Sequence, residues 1–236
     1  MPHASAPVPL QEVRIPCGPA RLYGDLALPA DFLGLVLFAH GSGSGRHSAR
    51  NRLVARYLQQ AGIATLLFDL LTAEEEQVDV HTREFRFNIP LLTRRMEDAV
   101  AWVRQRDGLR DTPIGLFGAS TGSAAALIAA AQLGRQVSAV VSRGGRPDLA
   151  GPAVLAAVTA PTLLVVGGDD RTVLGLNQDA FDHLRCTKEL QVVPGATHLF
   201  EEAGALQQVA GRAAEWFLAQ LQRRRPRPAA GTALAG

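Results

Sequence analysis

An α/β fold, with a mostly parallel sheet covered by helices on both faces, is what this sequence predicts. Three observations carry that expectation. Apolar runs of strand length alternate with longer stretches of helical character. Several of the runs are apolar at every position, as strands buried on both faces must be. The stretches between them are long enough for the crossover connections that parallel strands need. The chain of 236 residues is 47% hydrophobic and 19% charged, which is too apolar for a disordered chain and large enough for one domain with a sizeable core.

Taken in order, residues 11–16 and 21–28 read as two short strands joined by the turn Cys17-Gly18-Pro19. They can add an antiparallel edge to the sheet. Leu35-Val36-Leu37-Phe38-Ala39 is a buried strand by its unbroken apolar character. Residues 48–61 follow as a helix that Gly62 stops, and 63–68 form the next strand. The stretch 71–93 is polar, with Glu74-Glu75-Glu76 and Pro90, and reads as an extended loop or a short helix, its acidic run solvated. Residues 93–107 form an amphipathic helix. The pattern then repeats: strands at 114–117, 137–141, 161–166 and 189–193, and helices at 121–132, 148–157, 173–184 and 203–222. Residues 1–222 are expected to form a single domain. From Arg223 the chain is rich in Pro, Ala and Gly, and 223–236 reads as a disordered tail.

Bulk properties exclude several function classes. Net charge is +2, and Arg223, Arg224, Arg225 and Arg227 hold much of the excess, so no broad basic face for nucleic acid is expected. The two cysteines, Cys17 and Cys186, lie in no C-x-x-C pattern and read as reduced, mostly buried thiols rather than a metal or redox pair. No apolar run is long enough to span a membrane, and the first residues lack the pattern of a signal peptide. A cytoplasmic location is the expectation.

Four segments carry chemistry. Ile114-Gly115-Leu116-Phe117-Gly118-Ala119-Ser120-Thr121-Gly122 sets a Gly-x-Ser-x-Gly between a strand and a helix. That composition is what a nucleophile elbow needs: a serine on a sharp turn, glycines where strand and helix approach, and a helix N-terminus aimed at a developing oxyanion. His40-Gly41-Ser42-Gly43-Ser44-Gly45 follows a buried strand. It is not a Walker A loop, since no Gly-Lys-Ser/Thr follows, and its spacing fails Gly-x-Gly-x-x-Gly; a nucleotide-binding role for Gly41–Gly45 is the rival from a different class. Val165-Val166-Gly167-Gly168-Asp169-Asp170 places acids at a strand's carboxyl end. Pro194-Gly195-Ala196-Thr197-His198 places a histidine in the loop after the last strand. Only His183 and His198 follow Ser120, and His183 lies within a helical stretch. Arg143, just past another strand's carboxyl end, is a further candidate for the substrate pocket, with a surface arginine or a structural ion pair as the alternative.

These segments, in this order, resemble the α/β-hydrolase superfamily. Within it, His40–His47, the run Leu66-Leu67-Phe68-Asp69-Leu70-Leu71-Thr72 and the run Ser142-Arg143-Gly144-Gly145-Arg146-Pro147-Asp148-Leu149-Ala150 are similar to the dienelactone-hydrolase-like group, small hydrolases found alone or fused to phosphoribosyltransferase domains; no such second domain fits in this chain. The resemblance implies the α/β-hydrolase fold, and a triad in the order Ser120, Asp170, His198. It makes His40, which precedes the serine, structural. It implies an oxyanion hole from the N–H groups of Ser42 and Thr121, and it favours Asp170 over Asp169 through the pattern Gly-x-x-Asp. Dienelactone hydrolases themselves use cysteine where this chain has Ser120. The expected reaction is hydrolysis of carboxylic esters, with thioester, lactone or amide as alternatives and no metal or organic cofactor required. Only a short helix separates the strands on either side of residues 148–157, so no large lid is expected and small soluble esters are the expected substrates.

Overall fold

The computed structural model describes residues 8–224. Eight strands form one sheet in the order β1-β2-β4-β3-β5-β6-β7-β8. β1 (Leu10–Cys17) and β2 (Ala20–Ala27) make an antiparallel edge pair, and β2 runs antiparallel to β4 (Ala64–Phe68). From β4 onward every pairing is parallel: β3 (Leu35–Ala39), β5 (Ile114–Ala119), β6 (Val137–Arg143), β7 (Thr162–Gly167) and β8 (Lys188–Val193). The α/β-hydrolase fold expected from the sequence is the one present, with helices on both faces and no lid domain among the described residues.

Alternation along the buried strands sorts side chains into two cores. Leu35 and Leu37 face a cluster with α3 (Ile89–Arg104) and α4 (Thr121–Leu133). Val36 and Phe38 face the other side, against α1 (Ala49–Gln60) and α7 (Ala205–Arg224). There Phe38 and Phe117 meet with ring centroids 4.8 Å apart. Phe217 of α7 lies so close to Gly115 that a Cβ at residue 115 would stand 2.5 Å from the ring. Burying one such side chain contributes about 1.5–3 kcal/mol.

Three stretches refine the sequence reading, and in the first the short-helix alternative holds. Residues 71–93 are mostly helical: α2 (Ala73–Thr82) begins at a capping box in which Thr72 and Glu75 exchange hydrogen bonds, and α3 begins at Ile89 with Pro90 in its first turn. The Glu74–Glu76 run is therefore the first turn of a helix, where acidic residues complement the dipole. Glu75 is also tied to the buried Arg95 of α3. At the other end, α7 runs to Arg224, so its backbone continues two residues past 222, where the tail was expected to begin. Residues 225–236 lie outside the described residues. The 148–157 helix is divided by Gly151 (φ +79°) into a 3-10 turn, Pro147–Ala150, and α5 (Pro152–Ala157).

Topology positions the site. The chain leaves β3 toward β4 on one side and returns through β5 on the other. Helices connecting neighbouring strands diverge there, opening a crevice at the carboxyl ends of β3 and β5. The register Ala39↔Gly118 puts the glycine-rich loop after β3 beside the turn after β5.

Candidate active site

Ser120 occupies the turn between β5 and α4 with φ +49° and ψ −124°. A non-glycine residue adopts such a backbone only where its surroundings over-determine it. Here the Ser120 N–H donates to Arg143 O (3.2 Å), and the Ser120 carbonyl accepts from Ser123 N (3.1 Å), Ser123 Oγ (2.7 Å) and Arg146 N (3.1 Å). The flanking glycines are required by contact. A Cβ at Gly118 would lie 2.4 Å from Ser123 Cα, and one at Gly122 would lie 2.4 Å from Ala39 O and 2.5 Å from His40 O. The elbow composition thus reflects a strand, a helix and the neighbouring loop meeting at backbone distance.

The loop 40–45 passes against the serine: a Cβ at Gly41 would stand 3.0 Å from Ser120 Cβ. His40 is buried and fully engaged. Its Nδ1–H donates to Gly41 O (2.9 Å) and its Nε2 accepts from Leu70 N–H (2.9 Å), which fixes the neutral tautomer. Burial holds its pKa below the usual histidine range. This histidine shapes the loop. The Ser42 N–H donates to Thr121 Oγ1 at 3.0 Å, so in the free protein this expected oxyanion donor is held by a hydroxyl. Thr121 is buried as the first residue of α4, where backbone N–H groups have no intrahelical acceptor. A recess of about 10 Å³ beside this loop is lined by Ser42, Leu71, Arg86, Leu92 and Thr121 among others.

Asp170 and His198 meet. His198 Nδ1 and Asp170 Oδ2 are 2.7 Å apart, whereas the neighbouring Asp169 is exposed. Asp170 stands at the N-cap of α6 (Arg171–His183) but makes no side-chain cap bond to it; its carboxylate is turned to the histidine instead. With Nδ1–H donating to the carboxylate, Nε2 is the ring's proton acceptor. Several contacts that the sequence reading did not include hold the His198 loop. Asp169 N–H donates to Ala196 O (3.0 Å), and Gly167 comes so close that a Cβ would be 2.3 Å from the same carbonyl. Glu202 accepts from Thr197 N (3.1 Å) and Thr197 Oγ1 (2.6 Å). Phe200 is buried with φ +57°. A Thr-x₄-Glu spacing around a loop histidine was the available signal.

Arg143 is the last residue of β6 rather than a residue past it, and it is buried at 7% exposure. Desolvation, then the like charge of Arg50, pushes its guanidinium down to about 10, which leaves it charged at neutral pH. Cys17 and Cys186 are both free thiols, and burial pushes Cys17 up to about 12. Among the described residues no group of three or more His, Cys, Asp or Glu side chains is placed to hold a metal, and no helix is long and apolar enough to cross a membrane. A cavity of about 600 Å³ lies along α1 and the β1–β2 edge, lined by Leu10, Asp25, Arg52, Arg56 and Gln59. It shares no residue with the elbow and gathers no nucleophile, so the crevice at Ser120 is the candidate site despite its smaller volume.

Comparison with known proteins agrees with this architecture. Residues 33–216 match the alpha/beta hydrolase domain family. A crystal structure named dienelactone hydrolase, from Anabaena variabilis, is 52% identical, covers 90% of this chain and 98% of its own, and superposes with a TM-score of 0.88. The chain belongs to the alpha/beta hydrolase family, in its dienelactone-hydrolase-like group. This family member is also 53% identical over 218 residues to a Mycobacterium tuberculosis (strain H37Rv) protein that carries a phosphoribosyl transferase name. That match covers 92% of this chain and 48% of the relative, so the chain spans about half the length of the curated relatives it matches. A structure of carboxyl esterase 2 from Tuber melanosporum covers 93% of this chain and 89% of its own with a TM-score of 0.73; at 17% identity this likeness is one of fold.

Proposed function

We propose that this hydrolase-family chain cleaves carboxylic esters of small soluble substrates through an acyl-enzyme on Ser120. The observation that carries the reading is the strained serine at the switch point, on the same carboxyl edge as the paired Asp170 and His198. In the proposed mechanism His198 Nε2 takes the Ser120 proton as Oγ attacks the carbonyl carbon. The tetrahedral oxyanion accepts from the N–H groups of Thr121 and Ser42. For Ser42 this means exchanging the neutral Thr121 hydroxyl for an anionic oxygen, a stronger acceptor. The imidazolium, stabilised by Asp170, returns its proton to the leaving alcohol. A water deprotonated by His198 then releases the acid and restores the serine.

A second reading has one observation in its favour: the 52% identical structure is named dienelactone hydrolase. A lactone is a cyclic ester and would open by the same steps, with the leaving alcohol kept on the acyl chain. Turnover of a short-chain aryl ester series, from acetate to palmitate, tests the main reading. Activity should peak at short chains, and Ser120→Ala should lower it by on the order of a millionfold in a folded protein. Near-wild-type turnover by that variant would remove Ser120 from the mechanism. A maximum at palmitate would overturn the substrate class.

A further inference from the structure

The proposed mechanism uses the backbone N–H of Thr121 and leaves its side chain unassigned. Thr121 is the first residue of α4, one position after the serine, and is 4% exposed. Its Oγ1 accepts from the Ser42 N–H at 3.0 Å, a bond between the turn after β5 and the loop after β3. A hydroxyl carries a donor as well as acceptor lone pairs. Among the described residues no acceptor takes the Thr121 proton. Hydroxyls elsewhere in the helices show the usual disposal of such a proton, to a carbonyl one turn earlier. Thr82 donates to Val78 O at 3.2 Å, and the neighbouring Ser123 donates to Ser120 O at 2.7 Å. Thr121 has accepted one hydrogen bond and kept its own proton unspent. The recess beside the loop is lined by both Ser42 and Thr121, so the hydroxyl borders open space rather than packed side chains.

We infer that the Thr121 hydroxyl is a third donor to the oxyanion, and that it changes from acceptor to donor as the charge develops. The inference rests on the ester-hydrolase reading. A tetrahedral oxyanion has three lone pairs, and the N–H groups of Ser42 and Thr121 fill two of them. In the free protein Oγ1 holds the Ser42 N–H. Once the anionic oxygen takes that N–H, Oγ1 is relieved of its role as acceptor. It still stands beside the same nitrogen, and so beside the oxygen that the nitrogen now binds. Rotation about the Cβ–Oγ1 bond turns the proton toward that oxygen, with no heavy atom displaced and no covalent bond made or broken. A hydrogen bond to an ionised acceptor is about twice as strong as the neutral one it replaces. Burial of the threonine keeps bulk water from competing for the proton. The opposite role has the opposite sign. A hydroxyl that only accepted would compete with the oxyanion for Ser42 N–H, and its removal would speed the reaction.

Thr121→Val removes the hydroxyl and keeps the shape of the side chain. Its kcat on a short-chain aryl ester should fall by on the order of 10²-fold, the effect of deleting one oxyanion donor. KM should stay nearly unchanged, because the bond is made only in the transition state. Thr121→Ser, which keeps the hydroxyl, should retain turnover close to that of the wild type. The rate of labelling by a fluorophosphonate gives a second readout that depends on no choice of ester. There Ser120 Oγ bonds to phosphorus, fluoride leaves, the serine proton passes to His198, and the phosphoryl oxygen takes the place of the oxyanion. Labelling of Ser120 should slow in Thr121→Val and not in Thr121→Ser. Thr121→Ala carries the same comparison should the valine variant fail to fold. Unchanged or faster turnover and labelling in a folded Thr121→Val overturns the inference and leaves the hydroxyl an acceptor alone. A serine variant as slow as the valine variant also overturns it, since the methyl group rather than the proton would then matter. Absence of Ser120 labelling in the wild type removes the ester reading and this inference with it. Labelling of wild type and Thr121→Val at equal rates removes the inference alone.

Discussion

Replacing Gly122 by alanine adds one methyl group where no atom can give way. Its Cβ would stand 2.4 Å from Ala39 O and 2.5 Å from His40 O, both backbone atoms at the end of β3, whereas ordinary contact begins at 3.4 Å. The N-terminus of α4 must therefore retreat by about 1 Å, or the loop carrying Ser42 must. Overpacking of this kind costs about 1–3 kcal/mol of stability. A 1 Å displacement of groups around a reacting atom costs about 10²-fold in rate. Gly175 supplies the control. It lies inside α6, and a Cβ there meets nothing within 4 Å. The same chemical change should stabilise the protein at that position by roughly 0.5–1 kcal/mol, since alanine loses less conformational entropy in a helix. Urea unfolding of both variants, alongside aryl-ester turnover, gives opposite signs for one substitution. Wild-type stability and turnover in Gly122→Ala would refute the claim that close backbone approach sets the elbow's composition.

Three further substitutions probe the histidines and their partners. Asp170→Asn should lower turnover by roughly 10³- to 10⁴-fold and Asp169→Asn far less, because Asp170 is the carboxylate 2.7 Å from His198 Nδ1; steady-state kinetics of the pair decides, and a reversed order would exchange the assignment. His40 should make the fold acid-sensitive. Its folded-state pKa lies below the usual value, so the neutral form is favoured in the native state; stability is full above about pH 6.5, where the unfolded histidine is also neutral, and is lost as pH falls below it. His40→Gln, which keeps an acceptor for Leu70 N–H without titrating, should flatten the pH 5–7 part of the stability profile in urea titrations; an unchanged profile would mean that His40 contributes nothing to it.

The sheet was legible because β3, β4 and β7 bury both faces and so read as unbroken apolar runs. The candidate site was legible as residue types in order: glycines at 118 and 122 that close backbone approach requires, an acid after β7 and a histidine after β8. α2 was legible only as one of two alternatives, a loop or a short helix, because its apolar residues Val78 and Val80 are exposed and leave no buried stripe for periodicity to find. Its start was nonetheless written in the Thr72-x-x-Glu75 box. Cross-element contacts were beyond reach. That Ser42 N–H meets the Thr121 hydroxyl, and that Arg143 turns toward α1 without a partner, depend on register and side-chain direction that a linear pattern does not carry.

Ser120 acts as an activated nucleophile in the proposed mechanism. A fluorophosphonate probe phosphonylates such a serine with loss of fluoride, and peptide mass spectrometry of the labelled protein locates the adduct. One stoichiometric adduct is expected, on Ser120, formed far more slowly in His198→Ala and absent from Ser120→Ala. An unlabelled wild-type protein, or an adduct on a serine elsewhere in the chain, would contradict it.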